Sequence, residues 1–287
     1  MTMRCAGYCA RKLAVISMLA LVSTTSAALW PEAAPGSNDT DSCSKLYVDV
    51  GANVGQSLKW WYQPKDYGRG SKEFARVASF QERREFCTDI FEAEPNQTQT
   101  LMLVAKNLRV WGHRVKLYAS TPFSLMGGDI LFNSIGAVND GGGTVAKAAN
   151  DAAAPDVTSK AIKLRSMNAI EYLRNLKATT LALKIDVESY EFELVRGLVV
   201  SGALCVPGRR TFLLIEWHLP RLQANGTYRN IFDENKFGLP ALTVDKPQPK
   251  QSHERWAPNS HAVAVKDAIL WMLQSPACAN TTYIRWY

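Results

Sequence analysis

Short apolar runs that alternate with helix-like stretches constrain the fold of this chain of 287 residues more than any other feature. Each run is rich in β-branched or aromatic residues, which is typical of a buried parallel strand. The runs are Leu46–Val50, Thr88–Ala93, Val115–Ala119, Leu181–Asp186 and Thr211–Glu216, and the helix-like stretches are 98–108, 169–176 and 190–201. This alternation predicts an α/β fold with a mostly parallel, doubly wound sheet and helices on both faces.

The segments between and after these runs set the predicted domain limits. Residues 64–85 separate the first two runs and are interpreted as an insertion. The Gly- and Ala-rich stretch 127–155 predicts an exposed loop or a mobile lid. The run His261–Val265 predicts a late strand. We therefore expect a linker at 29–45, a single domain at 46–265 and a C-terminal tail at 266–287.

The N-terminus has the layout of a secretory signal peptide over residues 1–28. Arg4, Arg11 and Lys12 precede the apolar run Leu13–Val22, and small residues follow up to Ala28. An uncleaved type II membrane anchor is the alternative, because the apolar region can be extended to about 17 residues, the short limit for a membrane span. Both interpretations place the domain in the lumen of the secretory pathway or outside the cell.

The cysteines and the glycosylation sequons agree with that location. Four cysteines follow the leader, at Cys43, Cys87, Cys205 and Cys278, and four Asn-x-Ser/Thr sequons lie at Asn38, Asn96, Asn225 and Asn280. Disulfides persist in an oxidising compartment, and four cysteines allow three pairings among which the sequence does not choose. Buried free thiols are the alternative.

The charge pattern gives no case for nucleic-acid binding. The formal charge of +7 falls to +4 when Arg4, Arg11 and Lys12 of the leader are set aside. The remaining basic residues are scattered rather than gathered into a patch, as a nucleic-acid surface would require.

The segment after the first run is the first candidate for a ligand site, because ligands of doubly wound sheets bind beyond the carboxyl ends of the strands. It reads Asp49-Val-Gly51-Ala-Asn53-Val-Gly55, and its glycines allow a tight turn and a close backbone approach to a ligand. Asn53 stands where the dinucleotide pattern GxGxxG has its second glycine, and the third glycine is missing. A ligand without a pyrophosphate, S-adenosylmethionine rather than NAD, suits this loop.

Polar residues also end the later runs. Glu94, before Pro95, is placed to accept hydrogen bonds from the ribose hydroxyls of an adenosine, or else to cap the helix that follows. Asp186, Glu188 and Glu191 follow the fourth run, where the two glutamates also suit a helix start. Glu216 and His218 follow the fifth run, and His218 either catalyses or shapes the pocket.

Taken together, these segments resemble the FkbM family of S-adenosylmethionine-dependent methyltransferases. The matching pieces are Val48–Gly55, Glu94–Asn96, Leu183–Glu188 with Glu191, and Leu214–Glu216. The resemblance implies a Rossmann-like methyltransferase sheet, O-methylation of a hydroxyl, and S-adenosylmethionine held by Asp49, Gly51, Asn53, Gly55 and Glu94. The chain differs at Ser189, where the family usually has glycine, and at Asn168, where it often has aspartate.

Methyl transfer from a sulfonium requires an aligned nucleophile and a base for its proton. We expect His218, or failing that Asp186 or Glu188, to take the proton from a glycan or small-molecule hydroxyl acceptor. No metal is predicted, because Asp186 has no clear set of partner ligands in the sequence. A non-catalytic secreted binding protein that retains the fold is the alternative, and a nicotinamide-dependent oxidoreductase is disfavoured by the missing glycines.

Overall fold

The computed structural model describes residues 39–63, 68–134, 144–146, 160–187, 190–218 and 260–286. The strands are β1 (Lys45–Val50), β2 (Cys87–Phe91), β3 (Val115–Tyr118), β4 (Phe123–Ser124), β5 (Gly128–Ser134), β6 (Thr144–Ala146), β7 (Lys160–Asn168), β8 (Thr180–Ile185), β9 (Arg210–Ile215) and β10 (Thr281–Arg285). The helices are α1 (Gln56–Tyr62), α2 (Gly68–Ala75), α3 (Phe80–Arg83), α4 (Thr98–Val110), α5 (Ala169–Asn175), α6 (Glu191–Val200) and α7 (Ser260–Leu273).

The central sheet has six strands in the order β10-β9-β8-β1-β2-β3, and every neighbouring pair is parallel. The chain adds β2 and β3 on one side of β1 and then returns to place β8 on the other side. The direction of winding thus reverses between β1 and β8, and ligands of open α/β sheets bind at such a reversal. The structure confirms the α/β, Rossmann-like fold, and the five strands predicted from the alternating runs belong to this sheet.

Both faces of the central sheet are covered by helices, and alternate side chains of β1 pack in the two hydrophobic clusters that result. Leu46, Val48 and Val50 pack in a cluster with residues of α5, α6 and α7. Tyr47 points to the opposite face, where it stacks on Trp61 of α1 with ring centroids 4.3 Å apart. Fully burying a large apolar side chain contributes roughly 1.5–3 kcal/mol, so these two layers hold β1 at the centre of the domain.

A second, four-stranded sheet has the order β4-β7-β5-β6. In it β5 pairs antiparallel with β7 from Gly128↔Ser166 to Ser134↔Lys160. The prediction of a loop or lid over 127–155 is therefore wrong for the strand residues 128–134 and 144–146, while 135–143 and 147–155 lie outside the described residues. The composition misled because the long β5–β7 pairing lies between segments that are distant in sequence.

The C-terminal region differs from its prediction. Residues 261–265 belong to α7 and not to a strand, since the apolar residues Val265, Ile269 and Leu273 recur at helical spacing and are buried together. The expected domain boundary at 265 falls inside this helix. Residues assigned to a tail at 266–287 contribute β10, which pairs with β9 at the edge of the central sheet.

Two disulfides, Cys43–Cys87 and Cys205–Cys278, join segments of the domain. The first ties residue 43, in the predicted linker 29–45, to the start of β2. These bonds fit an extracellular or secretory location. The predicted leader at 1–28 lies outside the described residues. Across the ranges that the structure does describe, none of the helices is both long enough and apolar enough to span a bilayer.

Candidate functional site

The loop after β1 packs directly against the end of β8. Gly51 has φ +77°, and a Cβ built on it would lie 1.8 Å from the carbonyl oxygen of Asp186. Asn53 has φ 51°, in the left-handed region that few non-glycine residues adopt. Only a residue without a side chain at 51 lets the loop and the start of the β8–α6 connection approach this closely. The two segments that flank the winding reversal therefore form one surface.

Gly55 has a different role from Gly51. Its φ is +80°, it is the N-cap of α1, and a Cβ on it would meet the side chain of Val104 in α4 at 3.3 Å. Gly55 thus lets α4 pack closely on the loop. Its predicted contact with a cofactor remains a prediction.

Glu92, the residue directly after β2, holds this loop in place. Its Oε2 accepts the backbone N–H of Asn53 at 2.6 Å, and its Oε1 accepts the N–H of Glu94 at 2.7 Å. Burial raises the pKa of Glu92 above its ordinary value, although these two N–H donors act in the opposite direction. Glu92 was not among the predicted site residues, because Glu94, beside a proline, has the more familiar pattern. The sequence feature that could have identified Glu92 is its position directly after the buried strand β2.

Glu94 is buried and caps the short 3-10 helix Pro95–Gln97. Its Oε1 accepts hydrogen bonds from the side-chain amide of Asn96 at 2.9 Å and from the backbone N–H of Asn96 at 3.3 Å. Within the described residues, Oε2 accepts no hydrogen bond. Glu94 therefore caps this 3-10 helix rather than α4, whose N-cap is Gln97, and one oxygen is left that can bind a ribose hydroxyl.

Lys184, near the end of β8, joins the two loops electrostatically. Its Nζ lies 3.2 Å from Asp49 Oδ1 and 3.1 Å from Asp186 Oδ2, and it donates a hydrogen bond to the carbonyl of Gly51 at 2.8 Å. Burial alone would lower the pKa of Lys184, but the charges of Asp186 and Asp49 raise it above its ordinary value. The ammonium therefore stays charged and fixes both carboxylates. Lys184 was not among the site residues predicted from the sequence.

Asp49 lies beneath the loop rather than on its surface. It is 0 % exposed, and its Oδ2 accepts a hydrogen bond from the hydroxyl of Ser57 in α1. With its other oxygen beside Lys184, Asp49 has the contacts of a residue that positions the loop. Its direct contact with a cofactor stays a prediction.

Asp186, Glu216 and His218 meet at the carboxyl ends of β8 and β9. One ligand atom from each lies within 4.8 Å of the others. His218 Nε2 is 3.6 Å from Asp186 Oδ1 and 3.8 Å from Glu216 Oε1. The sequence offered no partner ligands for Asp186, and the fold supplies them because β8 and β9 are adjacent parallel strands. The prediction of no metal assumed that Asp186 has no partner ligands, and this assumption is wrong.

Glu191, the first residue of α6, orients the histidine. It is 0 % exposed, and its Oε1 accepts the backbone N–H of His218 at 2.7 Å and lies 3.2 Å from ring atom Nδ1. This contact directs the other ring nitrogen, Nε2, toward the two carboxylates. Glu191 was interpreted as a helix-start acid, and the structure adds this contact with His218.

The carboxylates around His218 set its protonation. Burial would lower the pKa of His218, but Glu191, Asp186 and Glu216 together raise it to about 9. The pKa of Glu216 is raised as well, by burial and by the charge of Asp186. In this field the imidazole carries a proton at neutral pH, so His218 is not a free base in the state described. This limits the role predicted for it.

The two departures from the family pattern have different outcomes. Asn168 caps α5, since its side-chain oxygen accepts the backbone N–H groups of Ile170 at 3.0 Å and Glu171 at 3.1 Å. An asparagine performs this task as well as an aspartate. Glu188, predicted to be catalytic, and Ser189 both lie outside the described residues.

The chain matches no family model, no curated protein and no solved structure.

Proposed function

We propose that this protein is an S-adenosylmethionine-dependent O-methyltransferase of the FkbM type that works in the secretory pathway, inside its lumen or after secretion. The carrying observation is the contact of Gly51 with the backbone of Asp186 at the winding reversal. It brings a loop suited to a cofactor beside the polar cluster suited to an acceptor. The disulfides support the location.

The charge of this surface favours a cationic ligand. The carboxylates of Glu92, Glu94, Asp186 and Glu216 lie at the carboxyl ends of β2, β8 and β9, on both sides of β1 in the sheet. S-adenosylmethionine carries a positive sulfonium, which such a field attracts, whereas the pyrophosphate of a dinucleotide would be repelled. This supports S-adenosylmethionine over NAD.

In this proposal Glu94 binds the ribose, and the loop from Gly51 to Asn53 lies against the rest of the cofactor. The acceptor hydroxyl lies near Asp186 and His218. S-adenosylmethionine would supply an electrophilic methyl group, the acceptor oxygen would attack it in line with the breaking bond to sulfur, and the hydroxyl proton would pass to a carboxylate of the cluster. A luminal location makes a glycan the favoured acceptor, and a small-molecule hydroxyl the other.

Binding of S-adenosylhomocysteine to the purified secreted protein tests the cofactor assignment. Calorimetric titration should show saturable binding to the wild type, and Glu94→Gln should weaken it by about 10-fold, the effect of losing a hydrogen bond to a charged group. Glu171→Gln, which removes an exposed acid at the start of α5, is the matched control and should bind like the wild type. A folded wild-type protein without affinity for the ligand would rule out the proposed function.

Transfer of labelled methyl groups to a library of released glycans tests the reaction. The alternative, a binding protein without activity, is favoured by two observations: Asn96 occupies one oxygen of Glu94, and His218 holds a proton. Cofactor binding without transfer to any glycan or small-molecule hydroxyl would support this alternative.

A further inference from the structure

Two carboxylates face His218 Nε2 at distances that are too long for direct hydrogen bonds. Asp186 Oδ1 at 3.6 Å and Glu216 Oε1 at 3.8 Å lie beyond the range of about 2.7–3.2 Å that N–H···O bonds span. Ligand atoms that share one transition-metal ion, each about 2.0–2.2 Å from it, lie roughly 3.0–3.5 Å apart. The two distances from His218 Nε2 are thus within a few tenths of an ångström of the spacing that a shared ion requires, and all three ligand atoms lie within 4.8 Å of one another.

The orientation of each ligand atom is fixed from behind. Glu191 lies against Nδ1 of His218, which leaves Nε2 as the atom facing the cluster. This carboxylate–histidine pairing is the arrangement that supports most metal-binding histidines. Lys184 holds Oδ2 of Asp186 at 3.1 Å, so that Oδ1 faces His218. Both supports come from side chains that are almost completely buried.

Glu191 is a second observation that bears on the charge of this cluster. It is 0 % exposed, and its Oε2 lies in the interior without a hydrogen-bond donor from the described residues. A buried carboxylate is stabilised by positive charge nearby. The protonated imidazole of His218 supplies such a charge, and a divalent ion bound at Nε2 supplies it when the ion displaces the proton.

We infer that Asp186 Oδ1, Glu216 Oε1 and His218 Nε2 bind one divalent transition-metal ion. Two carboxylates and one imidazole are donors that suit Mn²⁺ or Zn²⁺. The side chains of Asp186 and Glu216 are 25 % and 33 % exposed, so one side of the ion faces solvent and accepts further ligands.

The binding of the ion does not depend on the proposed function, but its use does. If the protein methylates a hydroxyl, the ion binds the acceptor oxygen and lowers the pKa of the hydroxyl, as bound metals do for water. The proton then leaves to solvent or to a carboxylate, the oxygen attacks the methyl carbon, and neutral thioether departs. His218 holds the ion in this scheme and does not take the proton.

Metal titration of the tag-free secreted protein, first stripped with EDTA, tests the site. Calorimetry with MnCl₂ and ZnSO₄ should show uptake of one ion per chain. Glu216→Gln keeps the shape of the side chain, removes its charge, and should weaken uptake at least about 10-fold, as losses in metal sites commonly do. Glu85→Gln is the matched control. The carboxylate of Glu85 is 60 % exposed and pairs with Lys45 at the amino end of β1, whereas the candidate metal site lies at the carboxyl ends of the strands.

The outcomes separate this inference from the proposed function. Absence of saturable uptake of both ions by the wild type, or equal uptake by Glu216→Gln and Glu85→Gln, overturns the metal site. Binding of S-adenosylhomocysteine in the same samples would then leave the proposed function intact. Ion uptake without binding of S-adenosylhomocysteine would support the metal site and rule out the proposed function. If methyl transfer occurs and EDTA does not reduce it, the catalytic use of the ion is wrong.

Discussion

Replacing Gly51 with alanine tests the contact on which the whole candidate site depends. The backbone at this position has φ +77°, and the new Cβ would lie 1.8 Å from the carbonyl oxygen and 2.8 Å from the carbonyl carbon of Asp186. Both atoms belong to backbone, so no side chain can rotate away. The β1 loop and the end of β8 must separate to admit the methyl group.

The magnitude follows from two contributions. A left-handed backbone costs a non-glycine residue about 1–2 kcal/mol, and overpacking a close contact adds about 1–3 kcal/mol. Gly208→Ala is the matched control, because Gly208 also has φ +77° but a Cβ on it would have nothing within 4 Å. We therefore expect Gly51→Ala to lose about 2–5 kcal/mol of unfolding free energy, and Gly208→Ala about 1–2 kcal/mol.

Urea denaturation followed by circular dichroism measures both free energies, and calorimetry with S-adenosylhomocysteine measures the effect on the site. Gly51→Ala should also lose affinity for the ligand, whereas Gly208→Ala should keep it. Equal stability losses in the two variants would show that the loop and β8 are not in the close contact described, and would refute the reasoning.

Three further predictions concern stability. Lys184→Met should cost about 3–5 kcal/mol in urea denaturation because it leaves the buried carboxylate of Asp49 without its cation. Lys163→Met, which breaks an exposed ion pair, should cost less than about 1 kcal/mol, and equal losses would contradict this. Burial lowers the pKa of His113 to about 4, below its value of about 6.5 in the unfolded chain. The unfolded chain therefore binds more protons below about pH 6.5, and the free energy of unfolding should fall by about 2 kcal/mol from pH 7 to pH 5. A His113→Gln variant with the same pH dependence would refute this. Replacing Cys205 and Cys278 with serine removes a disulfide that closes a loop of 73 residues and should lower the free energy of unfolding by about 4 kcal/mol. Denaturation of the variant and the wild type under non-reducing conditions measures this loss, and an unchanged midpoint would contradict it.

The strand pattern of the sequence was sufficient for five of the six central strands because parallel strands buried on both faces need uninterrupted apolar runs. The five strands predicted from the alternating runs and the three predicted helices are present, with ends within a few residues, whereas β10 was not predicted. The loop after β1 was also visible, since glycine at 51 is required by a positive φ. The prediction failed where pairing is distant in sequence, as for β5 with β7, or where a short alternating run such as 261–265 continues into a helix.

What the sequence by itself determined is the α/β class, the place of the site at the carboxyl ends of the strands, and most of the acids found there. The tertiary structure decided which of them meet. Lys184 contacts both Asp49 and Asp186, which are far apart in the chain, and Glu191 orients the imidazole ring of His218. Such contacts depend on the spatial order of β1, β8 and β9, which comes from packing between strands and not from the local pattern of any one segment.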